Sequence, residues 1–145
     1  GGAVPRTMVL RPCSGGDLPM PLPAASKPVS FILTADRSKT RPFYADVLGL
    51  KLIAEEDFGV VFDLGGGATL RLTDIQGHTP GPHTVLGWEV PDIRAAMAEL
   101  RARGVKFEIY DGFGQDEDGV WSFQGVKLAW FNDPEGNNLS LAQHG

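Results

Sequence analysis

The sequence predicts an α+β fold: two βαβββ modules forming one curved, half-barrel-like sheet with a concave pocket. Three observations carry this expectation. The chain repeats itself in diverged form: Leu33-Thr34-Ala35-Asp36 leads into a helical run ending Val47-Leu48-Gly49, and Trp88-Glu89-Val90-Pro91-Asp92 leads into another ending Arg103-Gly104-Val105. The two Asp residues are offset by 92 − 36 = 56 positions and the two Gly residues by 104 − 49 = 55, the signature of a duplicated supersecondary unit. In each half one apolar strand precedes the helix and several alternating runs follow it. A four-stranded sheet has too few strands to bury both faces alone, so the two sheets are expected to combine with the helices outside.

Residues 1–27 (GGAVPRTMVLRPCSGGDLPMPLPAASK) hold many Gly and Pro residues without helical or strand periodicity and read as a flexible arm. The Gly1-Gly2 start, with Met20 just ahead of the first strand, leads to the expectation that part of this arm is an appended or processing remnant. A single domain is expected over 28–145, with modules at 28–74 and 84–143. Val29 to Thr34 reads as a strand, and Asp36 as the cap of the helix after it. Phe43, Tyr44, Val47 and Leu48 share one apolar helix face, and Gly49 ends it. Pro42 is expected to confine the hydrogen-bonded helix to the residues after it. Strands follow at Lys51–Ala54, Val60–Leu64 and Thr69–Thr73, the last two joined by a hairpin at Gly65-Gly66-Gly67.

The second half repeats that order. Val85–Val90 reads as a strand, Asp92 as a cap, and Ile93, Ala96, Met97 and Leu100 as the buried stripe of a helix closed by Gly104. Strands are expected at Lys106–Ile109, Val126–Asn132 and Asn138–Ala142, with Asp133-Pro134-Glu135-Gly136 as a type I turn between the last two. Between Tyr110 and Phe123 lies a long loop rich in Gly, Asp and aromatics, the kind of segment that carries specificity on a rigid scaffold.

Composition excludes several function classes. The 145 residues include one cysteine, Cys13, so no intrachain disulfide is possible. A net charge of −5 argues against binding to a nucleic acid backbone, and no apolar run approaches membrane-spanning length. The N-terminal residues lack a charged region followed by an apolar one, and a cytoplasmic location is expected. No phosphate-cradling loop is present, because Gly65-Gly66-Gly67 joins two strands rather than opening a helix.

Asp36 through Arg41-Pro42-Phe43-Tyr44 to Leu48-Gly49, Val90-Pro91-Asp92 with Leu100 to Gly104-Val105, and Phe131-Asn132-Asp133-Pro134-Glu135-Gly136-Asn137 resemble the glyoxalase, bleomycin-resistance and extradiol-dioxygenase group, the vicinal oxygen chelate superfamily. The resemblance covers about residues 28 to 143 and implies the fold without choosing a reaction, because that fold hosts isomerases, dioxygenases, thiol transferases and drug-binding proteins. It implies a homodimer whose site is shared between subunits. It also implies four metal-ligand positions, which fall on Val29, Arg71, Val85 and Ser140. Two of these side chains lack donors, one is a permanent cation, and serine is a poor ligand alone, so no cofactor or metal is expected. The alternative places His83 at the third position by a two-residue slip, with Glu89 beside it; His78 and His144 are the other histidines.

Arg71 should face the cavity beside Thr69 and Thr73. A cation there needs a carboxylate, a carbonyl or an anionic ligand, and two readings stay open: a structural pair with Glu89, or recognition of an acidic or carbonyl oxygen on a small molecule. Phe31 on the first strand and Tyr110, Phe113, Trp121 and Phe123 around the long loop suggest an apolar box for a flat ligand, although each alone is compatible with the core. Asp111, Asp116, Glu117 and Asp118 are the acid–base groups of that loop, and such a run is also what a solvated edge carries. The expected function is therefore a metal-independent small-molecule binding protein holding an apolar or aromatic ligand, with Arg71, Glu89, Phe31, Ser140, Tyr110, Trp121 and Phe123 as ligand-binding residues. The alternatives are a lyase, isomerase or dioxygenase with displaced metal ligands, or a metal-free enzyme using Arg71 to stabilise an oxyanion. A sensor without chemistry is the third.

Overall fold

A computed structural model describes residues 21–145; residues 1–20 of the expected arm, with Cys13 and Met20, lie outside them. Strand β1 (Val29–Thr34) is followed by helix α1 (Arg37–Pro42), then β2 (Lys51–Glu56), β3 (Gly59–Gly65) and β4 (Ala68–Asp74). The second module runs β5 (Thr84–Glu89), α2 (Ile93–Ala102), β6 (Trp121–Phe123), β7 (Val126–Asn132) and β8 (Asn138–His144). Both helices start as the sequence predicts, with the Asp36 carboxylate accepting from the Ser38 N–H and the Asp92 carboxylate from the Ala95 N–H.

Pro42 does not confine α1 to the residues after it, because the helix already begins at Arg37. A proline removes one N–H from the ladder, and the hydrogen bonding shifts register beyond it: Phe43–Val47 form a π-turn in which the Leu48 N–H donates to the Phe43 carbonyl at 2.9 Å. The wider turn places Phe43 and Tyr44 side by side in the core, 5.3 Å apart and edge to face.

The second module also departs from expectation. Lys106–Ile109 forms only one bridge, Phe107 to Phe131, and the strand of this module is Trp121–Phe123. Gln124 and Gly125, both at positive φ, make the two-residue hairpin that brings β6 onto β7. The outer edge of β7 is thus divided, with Val126 to Leu128 paired to β6 and the Trp130 carbonyl accepting from the Glu108 N–H at 2.7 Å.

The two modules do not merge into the expected half-barrel sheet. Two open four-stranded sheets form, ordered β1-β4-β3-β2 and β5-β8-β7-β6, with no backbone ladder between them. The concave pocket expected from one curled sheet is therefore not built. A physical reason lies at the β1 edge that faces away from β4. The Leu33 carbonyl there accepts from the Asn137 side-chain amide at 2.9 Å, and the Ala35 N–H donates to the Glu135 carboxylate. Side chains of the β7–β8 turn occupy groups that strand pairing would otherwise use.

One core nevertheless runs through both modules. Ile32, Val60, Phe62, Leu70 and Leu72 pack beneath α1, while Ile93 and Met97 of α2 join Ala129, Phe131, Leu139 and Leu141 of the second sheet. Phe43 joins the two groups, its ring 6.4 Å from that of Phe131. Buried Asp133 supplies the polar counterpart of this junction. One carboxylate oxygen accepts from the N–H groups of Glu135, Gly136 and Asn137 at 2.9, 3.0 and 2.9 Å. The other accepts from the Asn137 amide at 2.8 Å and from the Tyr44 hydroxyl at 2.7 Å. Every lone pair a buried carboxylate needs to share is taken.

Candidate functional site

Each sheet buries one face under its helix and leaves the other open. Alternation along β1 buries Ile32 and Thr34 while Val29 and Phe31 stay exposed. Arg71 is the register partner of Phe31 on one side and of Val61 on the other. Its guanidinium lies across the open face to Glu56 at the end of β2, 2.5 Å from the carboxylate. The anticipated pair with Glu89 does not form, because Glu89 belongs to the other sheet and β2 is the closer source of a carboxylate. Glu89 instead meets His144, with Nδ1 to carboxylate 2.9 Å. The sequence pattern gives the face on which a side chain lies but not the order of strands beside it, and so it missed both Glu56 and His144.

The open face of the second sheet carries most of the expected aromatic box. Cross-strand partners share a face, which puts Trp121 with Leu128 and Ala142, Phe123 with Val126 and His144, and Trp130 with Ser140 and Gly87. Trp121 and Phe123 stack with centroids 5.7 Å apart. Phe113 lies edge to face against Trp130 at 5.4 Å and also reaches Trp121 at 6.1 Å, while Tyr110 meets both Trp130 and Phe113 at 5.9 Å. Trp130, at the centre of this cluster, was not singled out in the sequence, where Val126–Asn132 reads only as a strand; the parity it shares with Leu128 was the available signal. Phe113 and Phe123 remain about half exposed, at 47% and 56%. Gly87 has a local reason to be glycine, since a Cβ there would stand 2.3 Å from the Ser140 hydroxyl oxygen. Ser140 thus lies over β5 in space that any side chain would contest.

The long loop between these aromatics is tied down at several points. The Gln115 amide donates to the Glu108 and Gly119 carbonyls at 2.9 and 2.7 Å, and its oxygen accepts from the Tyr110 N–H at 2.7 Å. Arg94 of α2 reaches Asp116 and Asp118 at 2.8 and 3.0 Å, and Arg101 donates to the Asp118 carbonyl. The Arg94 hydrogen bond holds the Asp116 carboxyl below its ordinary range, helped by backbone donors from Val120 and Asp118. The Asp116 bond in turn raises the Arg94 guanidinium. Asp116 and Asp118 are therefore engaged in holding the loop.

The four positions implied as metal ligands do not fit a divalent ion. Val29 and Val85 are exposed apolar side chains, Arg71 is paired with Glu56, and Ser140 sits against Gly87 and Trp130. His83 is exposed just before β5, and His78 Nε2 lies 2.9 Å from the Asn137 side-chain oxygen. Among the described residues no three His, Cys, Asp or Glu side chains gather into a group able to hold a metal. A cavity of about 280 Å³ lies elsewhere, between Leu48 and Leu50 of the first module and Trp88, Val90, Ala96 and Leu100 of the second. Glu89 reaches its lining, but none of Tyr110, Phe113, Trp121, Phe123 and Trp130 does. No described helix is long and apolar enough to cross a membrane.

Comparison with known proteins agrees with this architecture. The solved structure of TnmS3, an antibiotic binding protein from Streptomyces sp. CB03234, is similar with a TM-score of 0.63 and 23% identity, covering 86% of this chain and 99% of that one. A member of the glyoxalase/bleomycin resistance protein/dioxygenase superfamily from Sphaerobacter thermophilus gives 0.65 and 24%, covering 83% and 98%. Lactoylglutathione lyase from Agrobacterium tumefaciens gives 0.62 and 17%, covering 83% and 95%. At these identities the likeness speaks for the fold, which one enzyme and one binding protein share. No curated protein matches the chain. The family model for the Glyoxalase/Bleomycin resistance protein/Dioxygenase superfamily matches residues 29–141, which is most of the sequence and both modules, and the chain belongs to that superfamily.

Proposed function

We propose that this chain is a metal-independent small-molecule binding protein that holds an apolar or aromatic ligand against its open sheet faces. The observation that carries the reading is the mutually contacting cluster of Tyr110, Phe113, Trp121, Phe123 and Trp130, in which Tyr110, Phe113 and Phe123 are exposed and the two tryptophans half-buried. Aromatic surface left in water is costly, and a contiguous patch of it marks a place where something binds. Phe31 and Arg71 on the first sheet extend the surface, with Arg71 and its partner Glu56 supplying a polar margin that orients a ligand carrying an acidic or carbonyl oxygen. Glu89 and Ser140 line the second sheet's face. In this reading a second copy of the chain covers the faces, so that the working form is a homodimer, and it acts in the cytoplasm on a small molecule with no nucleic acid or membrane partner. TnmS3, described as an antibiotic binding protein, supports the reading by analogy of fold.

The test is quenching of tryptophan fluorescence by naphthalene and by 2-naphthoate, in a Trp88→Phe background that removes the indole on the helix side. Saturable quenching that weakens at least fivefold in Trp121→Ala, with 2-naphthoate favoured over naphthalene only while Arg71 is present, is the expected result. Absence of saturable quenching by either probe rejects the reading. Stoichiometric uptake of Zn, Mn, Ni or Fe(II) with a raised melting temperature would instead move the function to metal-assisted chemistry.

A further inference from the structure

The Glu89–His144 pair stands at one end of the aromatic face. His144 follows Ser140 and Ala142 on the open side of β8, and its register partner is Val126, which pairs in turn with Phe123. Glu89 is the register partner of Ala142, which leads through Leu128 to Trp121. Val126, Leu128 and Ala142 therefore form an aliphatic floor with the stacked Trp121 and Phe123 along one margin and the His–Glu pair along the other. Two interstrand spacings separate Phe123 from His144, or about 10 Å, the width of a small fused-ring system.

The chemistry of the pair fixes what it offers. A carboxylate can only accept, so an imidazole carrying a single proton holds it on Nδ1, facing Glu89 at 2.9 Å. The remaining ring nitrogen, Nε2, then presents a lone pair and has no protein donor among the described contacts. Arg71 is engaged with Glu56 in the other sheet and does not compete for Glu89.

We propose that His144 is a specificity-determining residue for planar aromatic ligands bearing a ring hydroxyl. The rings lie on the Val126–Leu128–Ala142 floor against Trp121 and Phe123, and the hydroxyl donates to His144 Nε2. Glu89 acts as a positioning residue, holding the tautomer and the ring orientation. The inference rests on the aromatic-face reading above and names the ligand class for it.

The experiment compares binding of 2-naphthol, 2-methoxynaphthalene and naphthalene to the full chain and to its His144→Phe and Glu89→Ala variants, all in the Trp88→Phe background. Thermal melting and naphthalene affinity check that the fold and the aromatic face survive. The wild-type preference for 2-naphthol over 2-methoxynaphthalene should shrink three- to tenfold in His144→Phe, about the strength of one hydrogen bond. Glu89→Ala should reduce the same preference, read as the ratio of 2-naphthol to 2-methoxynaphthalene affinity, a discrimination that loss of packing would not alter. A preference for 2-naphthol that persists undiminished in His144→Phe overturns the proposal while leaving the aromatic face intact, as does equal binding of all three ligands to the wild type. Failure of all three to bind removes the aromatic-face reading and this inference with it.

Discussion

Replacing Tyr44 by Phe deletes one oxygen from the middle of the molecule. That oxygen donates to buried Asp133 across the junction of the modules at 2.7 Å, and the ring is fully buried. A hydrogen bond to a charged acceptor contributes about 1.5–3 kcal/mol. After the substitution Asp133 retains the Asn137 amide and three backbone donors, so the loss should fall in the lower part of that range, about 2 kcal/mol. At about 3 °C per kcal/mol for a domain of this size, the melting temperature should drop by roughly 6 °C. Burial, followed by the adjacent Asp133 charge, raises the Tyr44 hydroxyl well above its ordinary value of 10.0. A phenol held neutral only in the folded state favours folding below pH 10, and that contribution fades as the pH climbs further, because only the unfolded chain then releases the proton easily. Urea unfolding from pH 7 to 11 should therefore show stability falling above pH 10 in the wild type and a flatter limb in Tyr44→Phe. Parallel alkaline limbs, or a loss below 0.5 kcal/mol at pH 7, would refute the account of this junction.

Two further substitutions test local arguments. Gln115→Ala removes three hydrogen bonds that hold the loop over β7, so amide exchange of Tyr110, Gly112 and Phe113 should accelerate at least tenfold while the exchange of β3 and β4 stays unchanged. Gly59→Ala places a Cβ 2.6 Å from the Leu72 backbone carbonyl, where no side chain can give way, and should destabilise the domain by about 1–3 kcal/mol in denaturant titration.

Much of the fold is legible in the sequence because caps, hairpins and alternation are local. Asp36 and Asp92 mark helix starts, and Gly66-Gly67 turns β3 into β4. What sequence could not supply was competition among distant partners. Lys106–Ile109 and Trp121–Phe123 are both plausible strands, and the choice falls on the second because the Gln124-Gly125 hairpin delivers it to the edge of β7. Separation of the sheets depends on Glu135 and Asn137 reaching back a hundred residues to β1, which no periodicity reveals. At the candidate site, alternation placed Arg71 on the open face but not beside Glu56, whose position follows from the order of β2, β3 and β4.

The junction at Asp133 also sets an order for biosynthesis. The Tyr44 hydroxyl and the Leu33 carbonyl find their partners only in a turn 89 and 104 residues further along the chain. At about 5–20 residues per second, a ribosome leaves the nascent first module with these groups unmatched for roughly 5–20 s. The early half is thus committed to waiting for the late half, and a translational pause between the modules prolongs exposure of a sheet that is complete in backbone and unfinished at its centre.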